Sequence, residues 1–205
     1  DLDMDGVPDC VVGSEDRKVY ALSGKNGSKL WERATGGMVF SSPALGDING
    51  DGVPDCVVGS FDRKIYALSG KDGSKLWEWA TGGAVESSPA LGDLNGDGVL
   101  EVVVGSMDKR VYALSSKDGS KLWEYVTADG VKSSPALGDL NGDGVPDCVV
   151  GSNDRRVYAL SGKNGSRLWE QMTGGEVWSS PALADLNGDG VPDCVVGSKD
   201  KKVYA

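Results

Sequence analysis

A 46-residue unit repeats along the whole chain and constrains the fold more than any other feature. Asp1, Asp47, Asp93, Asp139 and Asp185 open nearly identical segments at this spacing. Repeats of roughly 40–50 residues that are rich in short apolar runs are typical of propeller blades, in which each unit buries its apolar face against its neighbours. The repeat therefore predicts a quasi-symmetric array rather than a single irregular core.

One full repeat, residues 41–86, contains four strand-like runs separated by turn signals. In order, run A covers residues 41–46, run B residues 56–60, run C residues 64–69 and run D residues 76–81. Run B is apolar on both faces, and an Asp-Gly pair between runs C and D favours a hairpin. Run D is the most polar and is expected at the outer edge. The sequence predicts an all-β fold, a β-propeller of four-stranded antiparallel blades.

The chain is expected to be one repeat array over residues 1–205, part of a longer array or of an assembly. Residues 1–40 form a partial blade, residues 41–86, 87–132 and 133–178 form three full blades, and residues 179–205 form a second partial blade. Unpaired strands at both ends would favour self-association.

The composition of the chain argues against several classes of function. The 21 basic and 31 acidic residues give a formal charge of -10, which disfavours nucleic acid as a partner, and no apolar segment is long enough to span a membrane. Histidine, the commonest general base, is absent. The four cysteines lie one or more whole repeats apart, so we expect free, buried thiols instead of disulfides. A non-enzymatic protein is predicted.

Between runs A and B lies an acidic nine-residue loop, residues 47–55 in the second repeat, and it recurs five times. Side-chain oxygens at positions 1, 3, 5 and 9 and the carbonyl of position 7 can converge because Gly at position 6 permits a sharp turn. Calcium prefers such an oxygen-only set. An EF-hand is excluded because Val58 stands where its twelfth-position Glu would be. Asp, Asn and Gly also favour metal-free Asx turns, but five regular copies favour calcium, up to five ions per chain.

These loops resemble FG-GAP repeats, the calcium-bearing blades of integrin α-subunit propellers. The resemblance implies five ligand sets: Asp1, Asp3, Asp5, Val7 and Asp9; Asp47, Asn49, Asp51, Val53 and Asp55; Asp93, Asn95, Asp97, Val99 and Glu101; Asp139, Asn141, Asp143, Val145 and Asp147; and Asp185, Asn187, Asp189, Val191 and Asp193. Two departures stand out. Glu101 is one methylene longer than its counterparts, and Ser-Ser-Pro replaces the family's Gly-Ala-Pro.

The second half of the repeat resembles another family. Residues 67–77 look like the tryptophan-docking motif of quinoprotein propellers, Ala-x-Asp-x-x-x-Gly-x-x-x-Trp, with Ser69 in place of the Asp. The resemblance implies that Trp31, Trp77, Trp123 and Trp169 pack between adjacent blades, although sugar stacking is an alternative. A quinone-dependent enzyme is the less favoured reading, because that family's adjacent cysteine pair is absent.

The repeats differ mainly in the B–C turn and the D–A connection, which fall on the face opposite the acidic loops in an antiparallel blade. Phe40, Phe61, Met107 and Trp178 are candidate contacts there for a protein or glycan ligand, although drift of surface loops would also produce variation. We predict a structural or adhesive interaction module. A subunit of an extracellular fibre and a lectin-like propeller are the alternatives. Exposed calcium loops suit calcium-rich surroundings, so an extracellular or cell-surface location is expected.

Overall fold

The computed structural model describes residues 1–205 as eighteen β-strands joined by turns and loops. The strands of run A are β4 (Ala44–Gly46), β8 (Ala90–Gly92), β12 (Ala136–Gly138) and β16 (Ala182–Ala184). Those of run B are β1 (Cys10–Gly13), β5 (Asp55–Ser60), β9 (Glu101–Ser106), β13 (Asp147–Gly151) and β17 (Asp193–Gly197). Those of run C are β2 (Lys18–Leu22), β6 (Lys64–Leu68), β10 (Arg110–Leu114), β14 (Arg156–Leu160) and β18 (Val203–Tyr204). Those of run D are β3 (Lys29–Ala34), β7 (Lys75–Ala80), β11 (Lys121–Val126) and β15 (Arg167–Met172). No helix is present that could cross a membrane.

These strands form five antiparallel sheets, so the predicted propeller class is confirmed. Blade 1 is β1–β3, blade 2 is β4–β7, blade 3 is β8–β11, blade 4 is β12–β15 and blade 5 is β16–β18. Blades 2, 3 and 4 have four strands in sequence order, with the run D strand at the outer edge as expected.

Run A is shorter than predicted, because its strand begins at Ala44 and not at Ser41. Pro43 has no N–H for a ladder, and the serines before it make other contacts. Ser41 Oγ accepts a hydrogen bond from Gly59 N (2.8 Å), and Ser42 N donates to Ser88 Oγ of the next blade (2.8 Å). The Ser-Ser-Pro segment therefore fastens the inner end of each blade instead of extending its sheet.

The apolar core lies between the blades. Successive side chains of a strand point to opposite faces of its sheet. In β5, Cys56 and Val58 pack with blade 1, and Val57 packs with blade 3. Every residue of β5 and β9 is buried, as expected for a strand covered on both faces.

Three of the four docking tryptophans confirm the predicted packing between blades. The Trp31 indole Nε1 donates to the Gly70 carbonyl of blade 2 (2.7 Å), and Trp77 and Trp123 repeat the contact with Ser116 and Gly162. All three side chains are buried. Glycine is required beneath the ring, since a Cβ at Gly73 would lie 2.6 Å from the Trp31 ring and φ there is +70°. Trp169 differs, because it is 38% exposed.

A carboxylate forms a second bond between blades on the face opposite the acidic loops. Asp62 Oδ2 accepts hydrogen bonds from Gly36 N of blade 1 (2.7 Å) and from the Tyr66 hydroxyl. Asp108, Asp154 and Asp200 repeat this arrangement. Asp16 holds the hydroxyl of Tyr20 in the same way but receives no amide from another blade.

Because Asp62 and Asp16 differ in this contact between blades, their alanine variants form a matched pair. We expect Asp62→Ala to lower the free energy of unfolding by about 1 kcal/mol more than Asp16→Ala, because only Asp62→Ala removes a hydrogen bond to an amide of the neighbouring blade. Urea denaturation of both proteins measures the difference. Equal losses would mean that Asp62 acts only within its own turn.

The cysteines are free, as predicted. Cys56 and Cys148 are buried, and burial raises the pKa of the Cys56 thiol to about 12. The expectation of burial is wrong for Cys10, which is exposed because no run A strand covers β1, and Cys194 is only partly buried.

Candidate calcium loops and the opposite face

The acidic loops and the C–D turns lie on one face of the array. Lys71, in the C–D turn of blade 2, places its Nζ 3.1 Å from Asp51 Oδ2 in the loop, and Lys25 and Lys163 form the same pair with Asp5 and Asp143. Eighteen of the 31 acidic residues but only four of the 21 basic residues belong to these loops and turns. The B–C turns and D–A connections, on the opposite face, carry nine acidic and eight basic residues. The chain's negative charge is therefore concentrated on the loop face.

Each loop folds around the side chain at its first position. In the second loop, Asp47 Oδ1 accepts from Gly50 N (2.7 Å) and Asp47 Oδ2 accepts from Gly52 N (2.9 Å). Positive φ angles of 77° at Gly50 and 83° at Gly52 permit this tight turn. The first-position side chain thereby holds the loop in one compact turn.

The side chains at positions 3 and 5 also accept hydrogen bonds from backbone amides of the loop. Asn49 Oδ1 accepts from Asp51 N (2.8 Å), and Asp51 Oδ1 accepts from Val53 N (2.9 Å). The amides of the predicted carbonyl ligands Val7, Val99, Val145 and Val191 donate to the position 5 carboxylates in the same way. These bonds fix the orientation of the side chains at positions 1, 3 and 5.

The backbone amides also stabilise the ionised carboxylates. Hydrogen bonds from Gly98, Gly144 and Gly190 are the main cause of the lowered pKa of Asp93, Asp139 and Asp185. The Val53 amide likewise lowers the pKa of Asp51. The loops therefore carry charged carboxylates at neutral pH, as a site for a hard cation requires.

Position 9 behaves differently from the other predicted ligands. Asp55 is fully buried, with Oδ2 accepting from Ile48 N (3.2 Å) and Oδ1 accepting from Gly70 N (3.0 Å) and from Asn49 Nδ2 (3.2 Å). Burial raises its pKa and the pKa of Asp147. In this conformation the side chain anchors the loop to the C–D turn, and it would have to exchange some of these bonds to ligate an ion.

Two loops depart from the common pattern. In the first, Met4 replaces the position 4 glycine with φ 60°, and carboxylate oxygens of Asp1, Asp3 and Asp9 all lie within 4.8 Å of one another. In the third, Glu101 reaches Leu94 N (2.7 Å) and Asn95 Nδ2 (3.1 Å), and burial raises its pKa. The longer Glu101 side chain thus fills the place of the aspartate elsewhere.

The donor chemistry fits calcium. Every polar group that the five loops offer at positions 1, 3 and 5 is a carboxylate or an amide, hard ligands that suit Ca²⁺ and leave no nitrogen or sulfur ligand for a softer metal. The first loop brings three carboxylates together, and the others bring two aspartates and an asparagine side chain into the same turn.

On the opposite face the backbone of every interblade contact is the same. Phe61 N donates to Met38 O of the preceding blade (2.9 Å), and the corresponding amides of Met107, Asn153 and Lys199 repeat this bond. Only the side chains differ from one blade to the next. This face therefore has the same backbone hydrogen bonds between blades throughout, but different side chains in each blade.

The four predicted ligand contacts do not form one patch. Phe40 and Phe61 pack edge to face, with ring centroids 5.0 Å apart. The Met107 side chain lies instead against Gly130, so close that it would contact a Cβ at that position. Trp178 lies further along the array beneath Lys132 and Lys199, whose Nζ atoms are 4.5 Å and 3.7 Å from the ring centroid. Sequence reasoning did not select these lysines as contacts, although both occupy positions that vary with the 46-residue period.

Comparisons with known proteins place this architecture among propellers. The family model described as "Outer membrane protein assembly factor BamB" matches residues 8–205. A comparison with curated proteins finds no significant match. The tryptophan-docking resemblance is thus supported at the level of the family, whereas the FG-GAP resemblance stays a prediction that rests on the loops.

Three solved structures share the fold. BamB from Moraxella catarrhalis aligns with a TM-score of 0.72 and 17% identity over 96% of this chain and 56% of that one. The computationally designed Ika8 protein gives a TM-score of 0.76 and 18% identity over 95% and 54%. The WD40 propeller domain of Doa1 gives 0.67 and 19% over 95% and 59%. The chain spans little more than half the length of each.

Proposed function

Because the chain belongs to the family of the outer membrane protein assembly factor BamB, we propose that it is a non-enzymatic interaction module whose blades are stabilised by calcium. The family name describes an assembly factor and not an enzyme. The observation that carries the proposal is the division between the two faces. One face repeats an acidic loop five times, and the other presents different side chains on an identical backbone.

Calcium is proposed as a structural ion. Each loop immediately precedes the run B strand of its blade, and in the first, second and fourth loops the position 9 carboxylate ties the loop to the C–D turn. An ion would neutralise carboxylates that otherwise repel one another on the loop face. Five Ca²⁺ would offset the formal charge of -10. Exposed loops of this kind suit a calcium-rich extracellular or cell-surface location.

Catalysis is not part of the proposal. Mixing the protein with pyrroloquinoline quinone and calcium should leave the visible absorbance of the quinone unchanged. A stable shift in that spectrum, followed by dye reduction in the presence of an alcohol or sugar, would favour the enzymatic reading instead.

The calcium assignment is tested one loop at a time. Calorimetric titration of the double variant Asp47→Ala/Asp51→Ala should show one fewer bound ion than the wild-type protein, because both substitutions remove donors from the second loop alone. Asp72→Ala is the matched control, since Asp72 lies on the same face in a C–D turn and bonds only Ser74 N (2.8 Å). An unchanged stoichiometry in the double variant, or an equal loss in the control, would refute site-specific binding.

A further inference from the structure

The side chains around Trp178 differ from those at every other contact between blades. Lys199 and Lys132 place their Nζ atoms over the Trp178 ring, while Glu176 holds Lys199 (3.0 Å) and Glu86 holds Lys132 (2.8 Å). The two carboxylates keep the long lysine side chains in place, so the cluster is organised in advance of any partner. Trp178 nevertheless remains 43% exposed.

A shallow cavity of about 240 Å³ adjoins this cluster. Its lining residues are Arg155, Gly174, Gly175, Glu176 and Lys199. Arg155 is exposed and makes no ion pair, and it is held at φ 69° in the B–C turn. The nearby carboxylates of Asp154 and Asp200 already accept backbone amides and tyrosine hydroxyls. The Arg155 guanidinium is therefore the unpaired charge at the mouth of the cavity.

The left-handed turn position that holds Arg155 is basic in all five repeats. Arg17, Arg63, Lys109 and Lys201 share it, each with φ between 69° and 71°. Non-glycine residues adopt this backbone conformation at a cost, so glycine would be the relaxed choice. The turn position two residues earlier, by contrast, changes from Glu15 through Phe61 to Lys199, and the position between the two is Asp in every repeat. A basic side chain therefore recurs at this turn position in every blade, while the position two residues before it varies.

We infer that the face around Trp178 and Arg155 docks an acidic peptide segment of a protein partner. Arg155 and Lys199 would bind its carboxylates, since a guanidinium matches a carboxylate in a two-pronged geometry. The exposed part of Trp178 would cover an adjacent apolar side chain. A neutral glycan is disfavoured because Lys199 already occupies a face of the indole ring that a sugar would need for stacking. This inference rests on the proposed interaction function and names the partner's chemistry.

The test uses a fluorescein-labelled peptide in which glutamate alternates with leucine and phenylalanine, in the presence of millimolar calcium. Fluorescence anisotropy should show that the wild-type protein binds it, that a peptide with lysine for each glutamate does not bind, and that added salt weakens binding. Arg155→Ala should weaken binding about tenfold, as expected for one charged hydrogen bond. Trp178→Ala should weaken it by a similar factor.

Arg63→Ala is the matched control, because Arg63 has the same turn position and the same φ of 69° but lies beside the positions of Ala84 and Met107 instead of Glu176 and Lys199. It should leave the affinity unchanged. Equal weakening by Arg63→Ala would mean diffuse attraction and no site. Failure of the acidic peptide to bind, or binding of a neutral glucan oligosaccharide in its place, would also overturn the inference. Calcium uptake by the loops is measured separately, so this inference can fail while the proposed calcium function stands.

Discussion

Calcium should raise the melting temperature of this protein steeply. An ion that binds only the folded state stabilises it by about 2.7 kcal/mol per site at a free concentration one hundred times the Kd. For a chain of this size each kcal/mol corresponds to roughly 2–4 °C in Tm, so even a single loaded loop gives about 5–10 °C. Differential scanning calorimetry with excess calcium, and then with excess chelator, measures the shift.

The physical reason for the expected stabilisation by calcium is the crowding of carboxylates on the loop face. Three of them meet within 4.8 Å in the first loop, and Asp55, Glu101 and Asp147 are buried in the next three. Magnesium at the same concentration is the control, since it prefers a smaller octahedral shell and should stabilise far less. Identical melting curves with calcium and with chelator would exclude a structural role for the ion.

Removal of a docking tryptophan should be the most damaging single substitution. Trp77 is 7% exposed, packs with apolar residues of blades 2 and 3, and donates its Nε1 hydrogen to the Ser116 carbonyl. Trp77→Ala should cost about 3–5 kcal/mol, as large-to-small substitutions of buried aromatic residues do. Chemical denaturation followed by far-ultraviolet circular dichroism measures the loss.

Trp169→Ala provides the matched control for this experiment. Trp169 occupies the same motif position, but it is 38% exposed and its Nε1 has no acceptor. Its substitution should cost about 1 kcal/mol, a value near the centre of the range for single substitutions. If the two variants lose equal stability, the contribution of Trp77 lies within its own blade and not in the contact with the next one.

The sequence predicted the sheets well because two independent signals agree there. The 46-residue period fixes the number of strands per blade, and the alternation in residues 64–68 fixes which side chains face each neighbouring blade. The tryptophan contact was predicted for the same reason, since the motif places each Trp and the glycine beneath it at constant spacing. Run A was extended too far because the serines before Pro43 look like strand residues, but Ser41 bonds Gly59 of its own blade through its side chain and Ser42 bonds the next blade.

The roles of individual site residues were harder to predict. Spacing predicts Asp55 as an oxygen ligand but does not show that its carboxylate accepts hydrogen bonds from Ile48 N and Gly70 N. The same limit applies to the opposite face, where sequence variation identified Trp178 but not the lysines over its ring. Contacts between residues that are 46 positions apart, such as Lys132 and Trp178, depend on how adjacent blades are placed. The local sequence pattern does not show that placement.

The most direct test of the calcium-loop account is the number of ions bound per chain. Equilibrium dialysis against millimolar calcium, followed by elemental analysis, should find close to five ions per molecule, one for each acidic loop. The third loop should be the first to empty as the free calcium concentration falls, since Glu101 is one methylene longer than the position 9 aspartate of every other loop. A protein that retains no calcium under these conditions would contradict the account.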